Sequence, residues 1–151
     1  MAYTNMTEEV GYCWSQGKKM DFPINTGTKI YEGSVVFLNY SGKGVYTASS
    51  GFVYVGVCCE TADNTDSSGK RVLVRCEGVF EFTGSSLSDS YVGKTVYLDT
   101  SADPNSIVTT KPSTSGALIV PLGKIVKVLS ETKCMVRIDG FAMKEDVTAA
   151  V

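Results

Sequence analysis

The chain has 151 residues, of which 43% are apolar and 20% charged, a length sufficient for one domain whose core needs no disulfide or metal to fold. Its formal charge of −2 provides no basic field to attract a nucleic acid or an acidic membrane surface. The chain has no histidine, the commonest general base and metal ligand, which argues against most hydrolases and metalloenzymes.

Residues 1 to about 30 have neither a helical nor a strand periodicity, so we predict that they form an extended N-terminal arm. Tyr12, Trp14 and Phe22 are scattered through this polar segment. Aromatic residues in such a setting are often interface anchors. Tyr12 and Trp14 could equally fold back over an open end of the core, and the sequence favours neither alternative.

From Glu32 onward, short β-rich runs alternate with turn sequences rich in glycine, serine, asparagine and aspartate. This spacing predicts an all-β fold, a compact sandwich or barrel over residues 31–141, followed by a tail at 142–151. We expect strands near 34–39, 44–48, 52–59, 70–77, 79–82, 94–99, 106–110, 118–129 and 133–139. Only Met143–Val151 could form a short terminal helix.

Two segments of the chain occur twice. Residues 33–39 return as 93–99, and residues 71–78 return as 133–140, with the chemical type of most positions kept. Self-similarity of this kind indicates a repeated structural unit. We therefore predict two copies of one β unit, at about 32–82 and 92–141, and a function that belongs to a shape rather than to one catalytic pocket.

The repeated strand carries charged residues on one face in both copies. Strand alternation places Arg75 and Glu77 on the face opposite Val74, and it places Arg137 and Asp139 likewise in the second copy. These charges could pair with a neighbouring strand or a neighbouring subunit. A solvated face with ion pairs worth only ~0–1 kcal/mol is the more common situation. The candidate interface residues are Tyr12, Trp14, Phe22, Arg75, Glu77, Arg137 and Asp139.

The cysteines and two motif-like segments do not predict a metal or cofactor site. The five cysteines are odd in number and never spaced Cys-x-x-Cys, so we interpret most of them as small buried apolar residues. Cys58 and Cys59 are adjacent in a predicted strand and point to opposite faces, so one of them could be accessible. Gly93-Lys94-Thr95 imitates the end of a phosphate-binding loop but leads into a strand, and 63–69 lacks the ligand pattern of a calcium loop.

The order of several short motifs is that of a known family. They are Val74-Arg75-Cys76-Glu77-Gly78-Val79-Phe80-Glu81, Val92-Gly93-x-x-Val96-Tyr97-Leu98-Asp99, Leu122-Gly123-Lys124-Ile125 and Val136-Arg137-Ile138-Asp139-Gly140. Over about residues 30–141 the chain resembles small tailed-bacteriophage capsid decoration, or cement, proteins. The resemblance implies a β domain, usually trimeric, that binds the outside of a mature head and bridges major capsid protein subunits, without catalysis or a cofactor. The arm at 1–30 and the tail after Gly140 depart from the shorter members.

Two other functions compete with this one. A phage tail or head-fibre module could use the Ser/Thr/Asn-rich loops near 61–69 and 101–115 to bind host surface glycans or a protein receptor. A small hydrolase would need a pocket with convergent titratable groups, and no Gly-x-Ser-x-Gly elbow is present to support one.

The sequence also bears on location. No run of about 18 apolar residues occurs, and the first residues do not resemble a signal peptide. We therefore expect a protein made in the host cytoplasm and located on the capsid surface of the virion, with neither a nucleic acid nor a membrane as its partner.

Overall fold

Short antiparallel strands dominate the computed structural model, which describes residues 19–139 and 147–151. The strands are β1 (Lys19–Pro23), β2 (Lys29–Ile30), β3 (Val35–Leu38), β4 (Gly44–Val45), β5 (Val53–Cys58), β6 (Ala62–Asp63), β7 (Arg71–Arg75), β8 (Glu77–Thr83), β9 (Thr95–Leu98), β10 (Ile107–Val108), β11 (Leu118–Ile119), β12 (Pro121–Ser130), β13 (Lys133–Asp139) and β14 (Thr148–Ala149). One 3₁₀ turn covers Asp89–Tyr91. The predicted all-β class is confirmed.

Ten of these strands form two five-stranded sheets with the same internal order. The first sheet runs β1-β7-β5-β3-β4, and the second runs β8-β13-β12-β9-β10. Each strand of the first sheet therefore has an equivalent at the same place in the second. The division between the two sheets falls between β7 and β8, so β8 belongs to the second sheet. The internal sequence repeat, at about 32–82 and 92–141, places β8 at the end of the first copy.

The two edges of each sheet are joined by a single isolated bridge. Ile24 bridges Gly44 in the first sheet, and Thr83 bridges Ser106 in the second. Each sheet is therefore rolled, but the described residues contain no closed barrel. Of the two architectures expected, the described residues form packed sheets rather than a closed barrel.

The equivalence of the two units extends to single hydrogen bonds. The amide of Gly33 donates to the carbonyl of Cys58 at 3.0 Å, and the amide of Gly93 donates to that of Ile125 at 2.7 Å. In the turn that follows, the side-chain oxygen of Asn39 accepts from the amide of Ser41, as that of Asp99 accepts from Ser101. Arg71 pairs with Asp21 and Lys133 pairs with Glu81 at equivalent positions. These ion pairs are exposed and contribute only ~0–1 kcal/mol each.

A glycine at the same point of each unit lets two strands approach closely. Gly56 on β5 lies opposite Val36, and Gly123 on β12 lies opposite Val96, in each case beside a register shift. A Cβ at Gly56 would collide with the carbonyl oxygen of Arg75, and one at Gly123 with that of Arg137. A bulge built on glycine is therefore part of the repeated unit.

The main core lies between the two sheets. The first sheet contributes Val35, Phe37, Tyr54 and Val57, and the second contributes Phe82, Val96, Leu98, Leu122, Ile125, Cys134, Val136 and Ile138. A smaller cluster on the other face of the first sheet contains Ile24, Ile30, Val36, Cys58, Val72, Val74 and Cys76. The β2–β6 pair covers this cluster through Ile30 and Ala62.

The two units use equivalent faces differently. Val35 and Val57 lie side by side on the first sheet and are buried under the second sheet. Their equivalents are Thr95 and Lys124, which lie side by side on the second sheet and are exposed. The face of the first sheet that carries Val35 and Val57 is therefore covered by the second sheet. The equivalent face of the second sheet carries polar residues and is exposed.

Two expectations about the ends of the chain are wrong. The expected absence of strands before residue 30 fails for residues 19–30, because β1 pairs with β7 and β2 pairs with β6. The short helix expected over Met143–Val151 is replaced, among its described residues, by β14, which pairs with β11. Residues 1–18, with Tyr12 and Trp14, lie outside the described residues.

We predict that Gly123→Ala is more destabilising than Gly93→Ala, as measured by denaturant unfolding. Overpacking against a fixed carbonyl costs ~1–3 kcal/mol or more, and Gly123→Ala could prevent folding altogether. Gly93 has a φ of 88° but open space around it, so its substitution should cost only ~1–2 kcal/mol. Equal effects of the two substitutions would contradict the assigned role of Gly123.

We predict that Tyr54→Phe raises the free energy of unfolding by ~1–3 kcal/mol. The Tyr54 hydroxyl is buried in the main core without a hydrogen-bond partner, and burial raises the pKa of this group far above its usual value. Tyr46→Phe, which removes a hydroxyl from an exposed tyrosine, is the matched control and should change stability by less than ~0.5 kcal/mol. A destabilising Tyr54→Phe would imply a partner for the hydroxyl.

Candidate functional site

The predicted interface residues lie in different environments. Phe22 packs against the smaller cluster, so much of its ring has an internal role. Arg75 and Glu77 are half-buried, and Arg137 is exposed. Arg75 and Arg137 occupy equivalent positions on different sheets, β7 and β13. The backbone of Asp139 ends β13, while its side chain is outside the described part of the structure.

An exposed, partly apolar surface covers the side of the second sheet that faces away from the first. We define the outer face as Val79, Thr95, Lys124, Val126 and Arg137. Four of these residues form a row across the sheet, in the order Thr95, Lys124, Arg137 and Val79. Val79 and Val126 are 45% and 44% exposed, and Val92 extends the apolar area along a shallow groove beside the row.

Two positive charges lie side by side on the outer face. Lys124 lies directly opposite Arg137 on the neighbouring strand. Like charges in directly opposite positions are destabilising. On the two edge-side strands of the same sheet, Glu77 and Asp139 are paired two positions from Val79 and Arg137. Val79 and Val126 supply exposed apolar area. The outer face therefore combines two features of a protein-binding surface.

A second candidate surface is a cleft between the two units. We define the tyrosine cleft as Thr28, Lys29, Tyr31, Tyr46, Thr65, Asp103 and Pro104, which line a cavity of about 460 Å³ together with Gly27 and Ser34. Tyr31 and Tyr46 are 61% and 42% exposed. The ammonium of Lys29 lies 4.8 Å from the centre of the Tyr31 ring. The cleft thus joins aromatic rings with hydroxyl and charged groups.

Asn64, one of the few buried polar residues, holds one wall of this cleft. Its side-chain amide donates to the carbonyl of Ile24 at 3.2 Å, and its side-chain oxygen accepts from the amides of Gly69 and Lys70. Its backbone exchanges further hydrogen bonds with Gly27 and Thr28. A buried amide with three side-chain hydrogen bonds fixes the loops around it.

The loop beside Asn64 is ordered by short side-chain hydrogen bonds. The Asp63 carboxylate accepts from both the amide and the hydroxyl of Thr65, and these hydrogen bonds lower the pKa of Asp63. The opposite wall belongs to the second unit and contains Pro104. It is attached to the first unit, because the amide of Val35 donates to the carbonyl of Pro104 at 2.9 Å. Both walls are therefore anchored to the sheets.

The described cysteines do not form a metal site. Cys58, Cys76 and Cys134 are buried, while Cys59 is partly exposed, and no group of described His, Cys, Asp and Glu residues could hold a metal ion. Burial is the main reason that the pKa of Cys58 rises to about 11 and that the pKa values of Cys76 and Cys134 also rise.

No described helix is long and apolar enough to cross a membrane.

Comparison with known protein families gives a match that covers most of the chain. The model of a family described as phage cement protein matches residues 14–138, which include both sheets apart from the last residue of β13. No curated protein and no solved structure matches the chain.

We predict that, at about pH 8, a thiol reagent modifies Cys59 well before Cys58, Cys76 or Cys134. The reactive form of a cysteine is the exposed thiolate, and the three buried thiols stay protonated at this pH. Peptide mapping by mass spectrometry after a short exposure measures the order of modification. The same reaction in denaturant is the control and should modify all four residues; labelling of Cys58 as fast as Cys59 in the native protein would contradict the assigned burial.

Proposed function

Because the chain belongs to the phage cement protein family, a family of structural proteins associated with the phage capsid, we propose that it binds the outer surface of the head and stabilises the expanded shell. It does so by bridging neighbouring major capsid protein subunits. The observation that carries the proposal is the family match over residues 14–138, which spans nearly all of both sheets.

The outer face of the second sheet is the surface best suited to contact the shell. Its equivalents on the first sheet include Val35 and Val57, which already pack inside the protein. On the outer face, Lys124 and Arg137 provide adjacent positive charges, and Val79 and Val126 provide apolar area. We assign to the shell a complementary surface that presents carboxylates around an apolar centre.

Stabilisation of the shell follows from selective binding. A protein that binds the expanded shell and not its disrupted state lowers the free energy of the expanded state by mass action. A shell presents many equivalent sites, and each bridging contact joins two subunits, so modest individual contacts sum to a large resistance against internal pressure. Bridging two subunits requires a surface of the right shape and no reactive group. A chain built from two β units can supply such a surface.

A homotrimer would strengthen the attachment. Three linked copies of the outer face would bind as a unit, and the second and third contacts would form at a high effective concentration. The remaining predicted contacts with either a neighbouring copy or the shell are Tyr12, Trp14, Arg75, Glu77, Arg137 and Asp139.

We predict that purified protein binds saturably to expanded heads that lack it and raises the temperature at which they release their genome. Co-sedimentation measures binding, and a heat challenge followed by a nuclease-protection assay measures release. Failure to bind expanded heads would overturn the proposed function.

A charge-reversed variant tests the surface separately from the role. Lys124→Glu combined with Arg137→Glu should weaken head binding at least about tenfold, because like charges brought together across an interface cost several kcal/mol. Lys43→Glu reverses an exposed charge in the turn between β3 and β4 and is the matched control. Wild-type binding by the double variant would show that another surface contacts the shell.

A further inference from the structure

We propose that the tyrosine cleft binds a saccharide, so that the protein is also a carbohydrate-binding module. The cleft is separate from the outer face, since the two share no residue. That the ligand is a sugar rests on the lining of the cleft, and that it is a bacterial surface polysaccharide rests on the proposed function.

The rings of Tyr31 and Tyr46 supply the apolar half of the site. Both are large aromatic side chains left well exposed in a concave surface, where neither ring is needed to complete a core. A pyranose ring has faces of C–H groups, which pack on tyrosine rings, while the tyrosine hydroxyls stay available for hydrogen bonds. Because each tyrosine has few rotatable bonds, ordering it on a ligand costs little entropy.

The remaining lining supplies polar groups suited to sugar hydroxyls. The Asp103 carboxylate has two acceptor oxygens, which match the adjacent hydroxyls of a sugar ring. Thr28 adds a hydroxyl, and Thr65 adds another whose proton is already donated to Asp63 at 2.6 Å, leaving its oxygen as an acceptor. The Lys29 ammonium, 3.9 Å from the carboxylate of Asp63, is a further donor at the rim.

The size and rigidity of the cleft fit a small ligand. Its volume of about 460 Å³ falls within the range of roughly 300–1,000 Å³ typical of small-molecule sites. The hydrogen bonds of Asn64 fix one wall, and the bond between Val35 and Pro104 fixes the other. A preformed site loses less of its binding free energy to ordering than a mobile one does.

A neighbouring groove provides a useful contrast. It is lined by Ser85, Thr100, Ser101, Thr109 and Ser113 among others, so it is also rich in hydroxyls, yet no aromatic residue lines it. Hydroxyl groups alone compete poorly with water for a sugar. The tyrosine cleft is therefore the better carbohydrate site, and it joins Thr65 from the loop at 61–69 to Asp103 from the loop at 101–115.

Many copies on one particle would make weak sugar binding effective. Single contacts of low affinity gain strength when a repeated array meets a surface that carries repeated sugars. The chemical class of ligand is thus a bacterial surface polysaccharide, recognised through one or two of its sugar units.

The test uses the purified full-length chain and an array of bacterial surface polysaccharides, with binding to soluble fragments of any positive glycan measured by NMR titration. We expect saturable binding of at least one glycan, with amide shifts confined to the cleft. Tyr31→Ala and Tyr46→Ala should each weaken it about tenfold or more, or by about 1.4 kcal/mol, because each removes the ring on which the sugar packs. Tyr31→Phe should retain most of the affinity.

Tyr40→Ala is the matched control, because Tyr40 is 79% exposed but does not line the cleft. Circular dichroism and thermal unfolding verify that each variant is folded. The proposal is overturned if no glycan binds, or if Tyr31→Ala and Tyr46→Ala bind like the wild type, or if Tyr40→Ala loses binding to the same extent.

Decorated heads provide an independent readout. They should retain glycan binding if the cleft faces outward on the particle. Loss of glycan binding on decoration would mean that the capsid covers the cleft. The cleft could then not bind a host surface, while the capsid role would stand.

Discussion

The close approach of β5 to β7 and of β12 to β13 is the constraint on which the rest of the structure depends. At Gly56 and Gly123 the space for a side chain is taken by a backbone carbonyl of the neighbouring strand. The bulges there change which residues face the core, so that Tyr54 and Val57 share one face although they are three positions apart. Leu122 and Ile125 do the same on β12. Without these two glycines, Tyr54 and Val57 on β5 would point to opposite faces, and so would Leu122 and Ile125 on β12.

Repetition of one unit does not produce two equal halves. The first unit has an apolar residue on both faces of its central strands and is covered on both sides, by the second sheet and by the β2–β6 pair. The second unit has Thr95 and Lys124 where the first has Val35 and Val57. This difference makes the second sheet an outer layer. It also leaves its outer face, rather than the equivalent face of the first sheet, as the surface available to a partner.

Local patterns in the sequence predicted the β class and the repeat, because the turns and the alternation of Val72, Val74 and Cys76 are local signals. They did not predict β1, since its pairing with β7 depends on residues about 50 positions away. The sequence gives no sign that Phe22 packs against the smaller cluster, because most members of that cluster are distant along the chain. Composition alone singles out the loops near 61–69 and 101–115, whereas only the fold brings Tyr31 and Tyr46 beside Asp103.

The isolated bridges that join Ile24 to Gly44 and Thr83 to Ser106 have a consequence for behaviour at high density. A free edge strand presents unpaired amides and carbonyls, and it is a template for uncontrolled association between copies. Here the outermost strands of each sheet turn toward one another and satisfy part of that hydrogen-bonding capacity within the same chain. The same bridges therefore limit how far the sheets of one copy can be extended by the edge strands of another, even where copies are close together.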